Sequence, residues 1–153
     1  MRIYRLTKQA YAGDAFRGSR GRGRWHPSGI PMVYAADAPA TALLETLVHT
    51  ERLALLTMPY AVITIMLDEA RHLLRLPADV LPADWQAWPW PASTQEIGSY
   101  WFTTRASVVL EVPSAVVPFQ RNYLINIRHP DFAELEMEPA VPFPIDPRLG
   151  EAT

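Results

Sequence analysis

Arg17, Arg20, Arg22 and Arg24 fall within eight residues of a glycine-rich loop, and Glu45 follows on the next predicted helix. Glycine lets a backbone approach a ligand closely, and guanidinium forks match phosphate oxygens two at a time. The stretch therefore predicts a trap for a phosphate-bearing small molecule. Thr41, Glu45 and His49 recur at i, i+4 and i+8, on the side of the helix away from Leu43, Leu44, Leu47 and Val48. A glutamate on such a helix ordinarily faces solvent. Placed after a basic loop and a strand, Glu45 has a second use. A carboxylate opposite an anion held by Arg24 can hold ribose hydroxyls and stabilise positive charge developing at an anomeric carbon.

The elements that must position these residues are readable from pattern. Residues 1–7 alternate apolar and polar positions and predict a strand, 32–36 a second short strand, and 38–51 a helix with Asp37 as its cap and Pro39 in its first turn. Residues 60–67 are rich in β-branched side chains and predict a buried strand, 107–117 another that Pro113 interrupts, and 122–127 a last core strand. A helix is expected over 95–105. Between Pro77 and Pro91, four prolines alternate with Trp85, Trp88 and Trp90, which predicts an irregular, aromatic-packed excursion. Those tryptophans read as a satellite core, part of which can wall a pocket or a partner surface. Fifteen prolines favour an α+β domain over a helical bundle.

Composition removes whole classes of chemistry. The 153 residues, 49% hydrophobic and 20% charged, fit one domain spanning 1–153. The absence of cysteine excludes disulfides, thiolate nucleophiles and cysteine-ligated metals, and suits a reducing compartment. No apolar run is long enough to span a bilayer and the first residues lack a signal-peptide core, so a soluble, cytoplasmic protein is expected. His26, His49, His72 and His129 show no metal-binding spacing, and no metal is expected. Nucleophile-elbow, P-loop and dinucleotide glycine fingerprints are all missing. Residues 1–24 hold seven Lys/Arg against Asp14, +6, whereas residues 25–153 hold seven against fifteen acids, −8. That asymmetry leaves charge in the loop for a ligand, while the acidic remainder argues against a broad nucleic-acid surface.

Four segments carry a family resemblance: GRW at 23–25, GIPMVYAADAPATALLETLVH at 29–49, VPSAVVP at 112–118 and NYLINIRHPDF at 122–132. Together they resemble the RES domain, the toxin half of RES-Xre toxin-antitoxin systems. The Arg, Glu and Ser of the family's name fall on Arg24, Glu45 and Ser114. The resemblance runs from the first strand to FPIDPRL at 143–149. One departure is visible: where the family usually shows GGRW followed by asparagine, this chain has Arg22 and His26.

The resemblance implies a fold similar to ADP-ribosyltransferases, with a central, mostly antiparallel split sheet flanked by helices. It implies an enzyme that consumes NAD as substrate, without a prosthetic group, by breaking the nicotinamide–ribose bond. Carried over by position, Arg24 holds the phosphate or ribose side, Tyr34 packs against nicotinamide, and Glu45 stabilises the transition state. Ser114 hydrogen-bonds the substrate, and Asn122 is a further binding candidate. The acceptor is left open among water, phosphate and a protein target. An implied partner is a cognate Xre-type helix-turn-helix antitoxin covering the NAD pocket, so that DNA contact is indirect; a homodimer or a larger toxin-antitoxin complex is compatible by analogy. From the residues alone a different class also stands, a non-catalytic module whose basic loop binds nucleic acid or an acidic partner. Tyr34 as core, Ser114 as a local turn residue and His49 as a structural histidine are the plain alternatives for those positions.

Overall fold

In the computed structural model, which describes residues 1–18, 21–51, 54 and 57–149, β1 (Arg2–Lys8) and β3 (Tyr60–Met66) pair antiparallel along their whole lengths, from Arg2 opposite Met66 to Lys8 opposite Tyr60. The β-branched run Val62-Ile63-Thr64-Ile65 suits that pleated, half-buried surface. On the other side, β2 (Met32–Ala36) pairs antiparallel with β6 (Arg121–Asn126), and β6 with β5 (Val109–Pro113). β4 (Leu73–Arg75) lies parallel to β5, while β7 (Glu136–Met137) and β8 (Val141–Phe143) both pair with β3. The eight-stranded order is β4-β5-β6-β2-β1-β3-β7, with β8 also on β3. The sheet is mostly antiparallel, as expected, and the class is α+β.

The two halves of the sheet meet at a narrow seam, where β1 and β2 register at Tyr4 opposite Ala36. Beyond it the strands diverge, and the Arg5 guanidinium spans the gap to donate to the Tyr34 carbonyl at 2.8 Å. A side chain takes the place of a ladder bond, and a cleft opens there.

Alternate residues of the central strands serve opposite faces. Val33, Val109 and Ile125 join Ile3, Ile63 and Ile65 in one apolar cluster. Met32, Leu110 and Leu124 join Trp25, Trp101 and Phe102 in another, beneath the helix that supplies the last two. The helices are α1 (Pro39–Leu47), the single turn α2 (Glu69–His72) and α3 (Ala92–Thr104), which Arg105 closes at φ 53. No helix of the described residues is long and apolar enough to cross a membrane.

Two sequence expectations fail around α1. Asp37 does not cap it: Ala38 holds the cap position without a side-chain bond. The Asp37 backbone N–H instead donates to the Arg121 carbonyl at 3.1 Å, and its carboxylate accepts from the Arg121 N–H at 2.9 Å. Asp37 thus extends the β2–β6 ladder one residue past Ala36 opposite Asn122. The leucine face is also not the inward one. Thr41 and Ala42 are buried, whereas Leu44 and Val48 are 42% and 56% exposed. Small Ala42 lets the helix approach β1 and β2, and the same inward strip carries Glu45 to the donors Ser114 and Asn122. The helix ends at Leu47, so His49 falls outside the predicted stripe.

Candidate active site

The glycine loop closes into a corner at Gly23–His26, where the Gly23 N–H donates to the His26 carbonyl at 2.9 Å. α3 grips this corner from outside. Thr94 Oγ1 donates to the Arg24 carbonyl at 2.6 Å and Gln95 Nε2 to the Gly23 carbonyl at 2.9 Å. Gly98 lies so close that a Cβ there would come within 1.8 Å of the Trp25 carbonyl oxygen. Trp25 is buried in the core. The Arg24 side chain is thereby aimed into the cleft, where its Nη1 also donates to the carbonyls of Trp85 and Ala87, the latter at 3.0 Å. Burial lowers the Arg24 pKa, and the neighbouring Glu45 charge opposes that shift.

Glu45 is held by the β5–β6 end of the sheet. Ser114 Oγ and Asn122 Nδ2 each donate to Glu45 Oε1 at 2.6 Å. Both bonds land on one oxygen, which leaves Oε2 for a ligand. Ser114 Oγ accepts in turn from the backbone N–H groups of Val116 and Val117, at 3.2 and 2.8 Å. The local-turn and site readings of Ser114 thus describe one hydroxyl: the turn orients it, and it orients the carboxylate.

Tyr34 packs at the margin of the second apolar cluster and lines the cleft. Its hydroxyl lies 2.7 Å from His26 Nδ1 and accepts a long bond of 3.4 Å from the Trp25 N–H. Burial pushes the phenol pKa up, so the hydroxyl stays protonated. Burial also lowers the pKa of His26, whose ring is only 1% exposed, against a hydrogen bond with the Gly21 backbone. The phenol and the neutral imidazole share this bond, Tyr34 donating to Nδ1 when the ring carries its proton on Nε2.

Sequence reasoning missed Arg5. Its Nε is buried without a hydrogen-bond partner, and desolvation brings its pKa down to about 10, still charged near neutrality. Among the described residues it forms no ion pair, yet it lines the cleft. The available signal was parity: Arg5 stands two residues after fully buried Ile3, on the same face of the strand.

These groups surround a cleft of about 780 Å³ that gathers Arg5, Arg22, Arg24, Tyr34, Glu45 and Asn122. Of the other loop arginines, Arg17 pairs with Asp14 at 2.9 Å, and Arg20 lies outside the described residues. His49 sits past the end of α1 against the rings of Trp88 and Trp90. Trp85 packs beside the second apolar cluster, as expected of a satellite core, whereas Trp88 and Trp90 line the cleft. Among the described residues, no three His, Asp or Glu side chains gather as a metal site.

A clamped carboxylate and three arginines line one cleft at the seam of the mostly antiparallel sheet of an α+β domain. The chain belongs to the RES domain family, which matches residues 2–146. It is 40% identical to Toxin Res of Photorhabdus laumondii over 99% of both chains. It is 34% identical to the Prs ADP-ribosylating toxin of Sphingobium sp., over 97% of this chain and 90% of that one. Its fold is similar to a chain of the crystal structure of the M. tuberculosis MbcT-MbcA toxin-antitoxin complex, with a TM-score of 0.70, 22% identity, and 97% of this chain and 86% of that chain covered.

Proposed function

We propose that this chain is the toxin of a toxin-antitoxin pair and that it cleaves the nicotinamide–ribose bond of NAD, depleting NAD in the cytoplasm. The observation that carries this reading is Glu45, clamped through Oε1 by Ser114 and Asn122 and set in the cleft that Arg5, Arg22 and Arg24 also line. The arginines suit the diphosphate, and Tyr34 bounds the nicotinamide side. As the glycosidic bond breaks, its electron pair goes to the pyridinium nitrogen, nicotinamide leaves neutral, and positive charge appears on the ribose. Glu45 Oε2 stabilises that charge, having already been oriented, so little reorganisation is needed at the moment of reaction. Water or phosphate then adds to the anomeric carbon and sheds a proton. Neither a metal nor a covalent nucleophile has a role in this scheme.

A second reading, favoured by the name of the Sphingobium relative, keeps the cleavage and transfers ADP-ribose to a protein. In both, an antitoxin of the helix-turn-helix kind expected from sequence covers the cleft and supplies any contact with DNA.

The purified chain, free of partner, is incubated with NAD with and without phosphate, and the products are read by mass spectrometry. Free ADP-ribose marks hydrolysis, ADP-ribose phosphorylated at the anomeric carbon marks phosphorolysis, and a gain of protein mass marks transfer. Unchanged NAD overturns the reading in favour of a binding module. Glu45→Gln retains the fold and loses turnover by roughly 10²–10³-fold, the scale of a lost electrostatic stabiliser.

A further inference from the structure

Trp88 is 68% exposed although it lines the cleft. An indole is the most costly side chain to leave in water, and this one is not loosely placed. Trp90 meets it edge-on, with ring centroids 4.9 Å apart and planes at 83°. His49 flanks both rings, at 6.1 Å from Trp88 and 5.9 Å from Trp90. The segment is pinned from below, because Arg24 donates to the carbonyls of Trp85 and Ala87 immediately before it. The side chain proposed to meet the diphosphate thus also sets the height of the exposed ring.

The position along the cleft is informative. His49 follows Glu45 by four residues and lies just past the end of α1 at Leu47. The aromatic group therefore lines the cleft at the carboxyl-terminal end of α1, next to the Trp85 and Ala87 carbonyls that Arg24 holds. Trp88 also borders a second, shallower hollow of about 420 Å³ with Val48, Thr50 and Glu51. A flat aromatic group on the ligand would find a ready π face here, rigidly backed and open to solvent. In a dinucleotide bound with its nicotinamide half at Glu45 and its diphosphate at the arginines, the group that reaches this end is the second base.

We propose that Trp88, backed by Trp90 and His49, is the stacking platform for the adenine of the dinucleotide. This assignment rests on the reading of the cleft as an NAD site. It makes the protein selective for a dinucleotide over a mononucleotide carrying the same scissile bond. Stacking on a single indole confers affinity without base-edge discrimination.

The test compares NAD with nicotinamide mononucleotide, which has the nicotinamide–ribose bond but no adenine, and uses AMP as the complementary half. Trp88→Ala lowers kcat/KM for NAD about tenfold relative to that for the mononucleotide, mainly through KM, and Trp88→Phe restores most of the difference. In the wild type, AMP and NAD quench tryptophan fluorescence while the mononucleotide does so weakly, and the AMP-dependent quench is lost in Trp88→Ala. Equal effects on both substrates, or quenching by the mononucleotide and not by AMP, overturn the platform. If no NAD is consumed by the wild type, the proposed reaction fails, but AMP binding and its loss in Trp88→Ala still decide the platform. Circular dichroism of each variant excludes unfolding as the cause.

Discussion

Burial disfavours the charged forms of both Tyr34 and His26, and for the histidine that has a consequence for stability. The folded-state pKa of His26 lies below its ordinary value of 6.5. The unfolded chain therefore binds this proton more readily than the folded one. Stability is unaffected well above that value, declines as pH falls below about 6.5, and stops declining once the folded-state pKa is passed. His26→Asn, which places the family's usual residue there, removes this contribution. Melting curves across that range are expected to show a steeper acid loss in the wild type than in the variant; parallel losses would overturn the assignment to His26. Residue identity was the most legible scale in the sequence: Arg24, Tyr34, Glu45 and Asn122 all border the cleft, with Ser114 behind Glu45. What it concealed were pairings that only a fold creates. Nothing in the spacing of Ser114, Asn122 and Glu45 says that two donors converge on one carboxylate oxygen. Arg5 was overlooked because an arginine in a strand is ordinarily read as solvent-facing, although its parity with Ile3 put it on a buried face.

At the scale of elements, α3 is the clamp of the site, although it contributes no residue to the cleft. Thr94 and Gln95 hold the Arg24 corner by side-chain bonds to its backbone carbonyls, and Gly98 lets the two backbones meet. Gly98→Ala forces a methyl group into the Trp25 carbonyl, which the helix cannot avoid by a rotamer change. The expected cost is about 3 kcal/mol, at the upper end for overpacking, and activity should fall further than stability as Arg24 moves. Denaturant unfolding and turnover measured on the same variant check this; an unperturbed midpoint would mean that α3 is free to shift. The strands over 1–7, 32–36 and 60–67 were legible to within a residue because alternation and β-branching report directly on a half-buried pleat. The orientation of α1 was not. Hydrophobic periodicity assumes that a helix buries its bulkiest face, whereas here Ala42 sets the distance of approach and hydrogen bonds draw Glu45 inward.

Across the whole molecule, the basic amino-terminal segment and the acidic remainder make a dipolar chain despite a formal net charge of −2. Arg5, Arg22 and Arg24 bring the basic end to the cleft, where Glu45 is the one carboxylate among the described lining residues. Such a field draws in an anionic substrate and is screened by salt over a Debye length of about 8 Å at physiological ionic strength. KM for NAD is expected to rise several-fold between low and high salt while kcat changes little; a salt-independent KM would mean that the arginines are already neutralised. Arg24 adds a constraint of a different kind. The same guanidinium fastens the tryptophan segment and interacts electrostatically with the Glu45 carboxylate, so one residue carries both the shape of the cleft and its charge. Substitution of Arg24 therefore removes two properties at once, and a compensating change elsewhere would have to repair both.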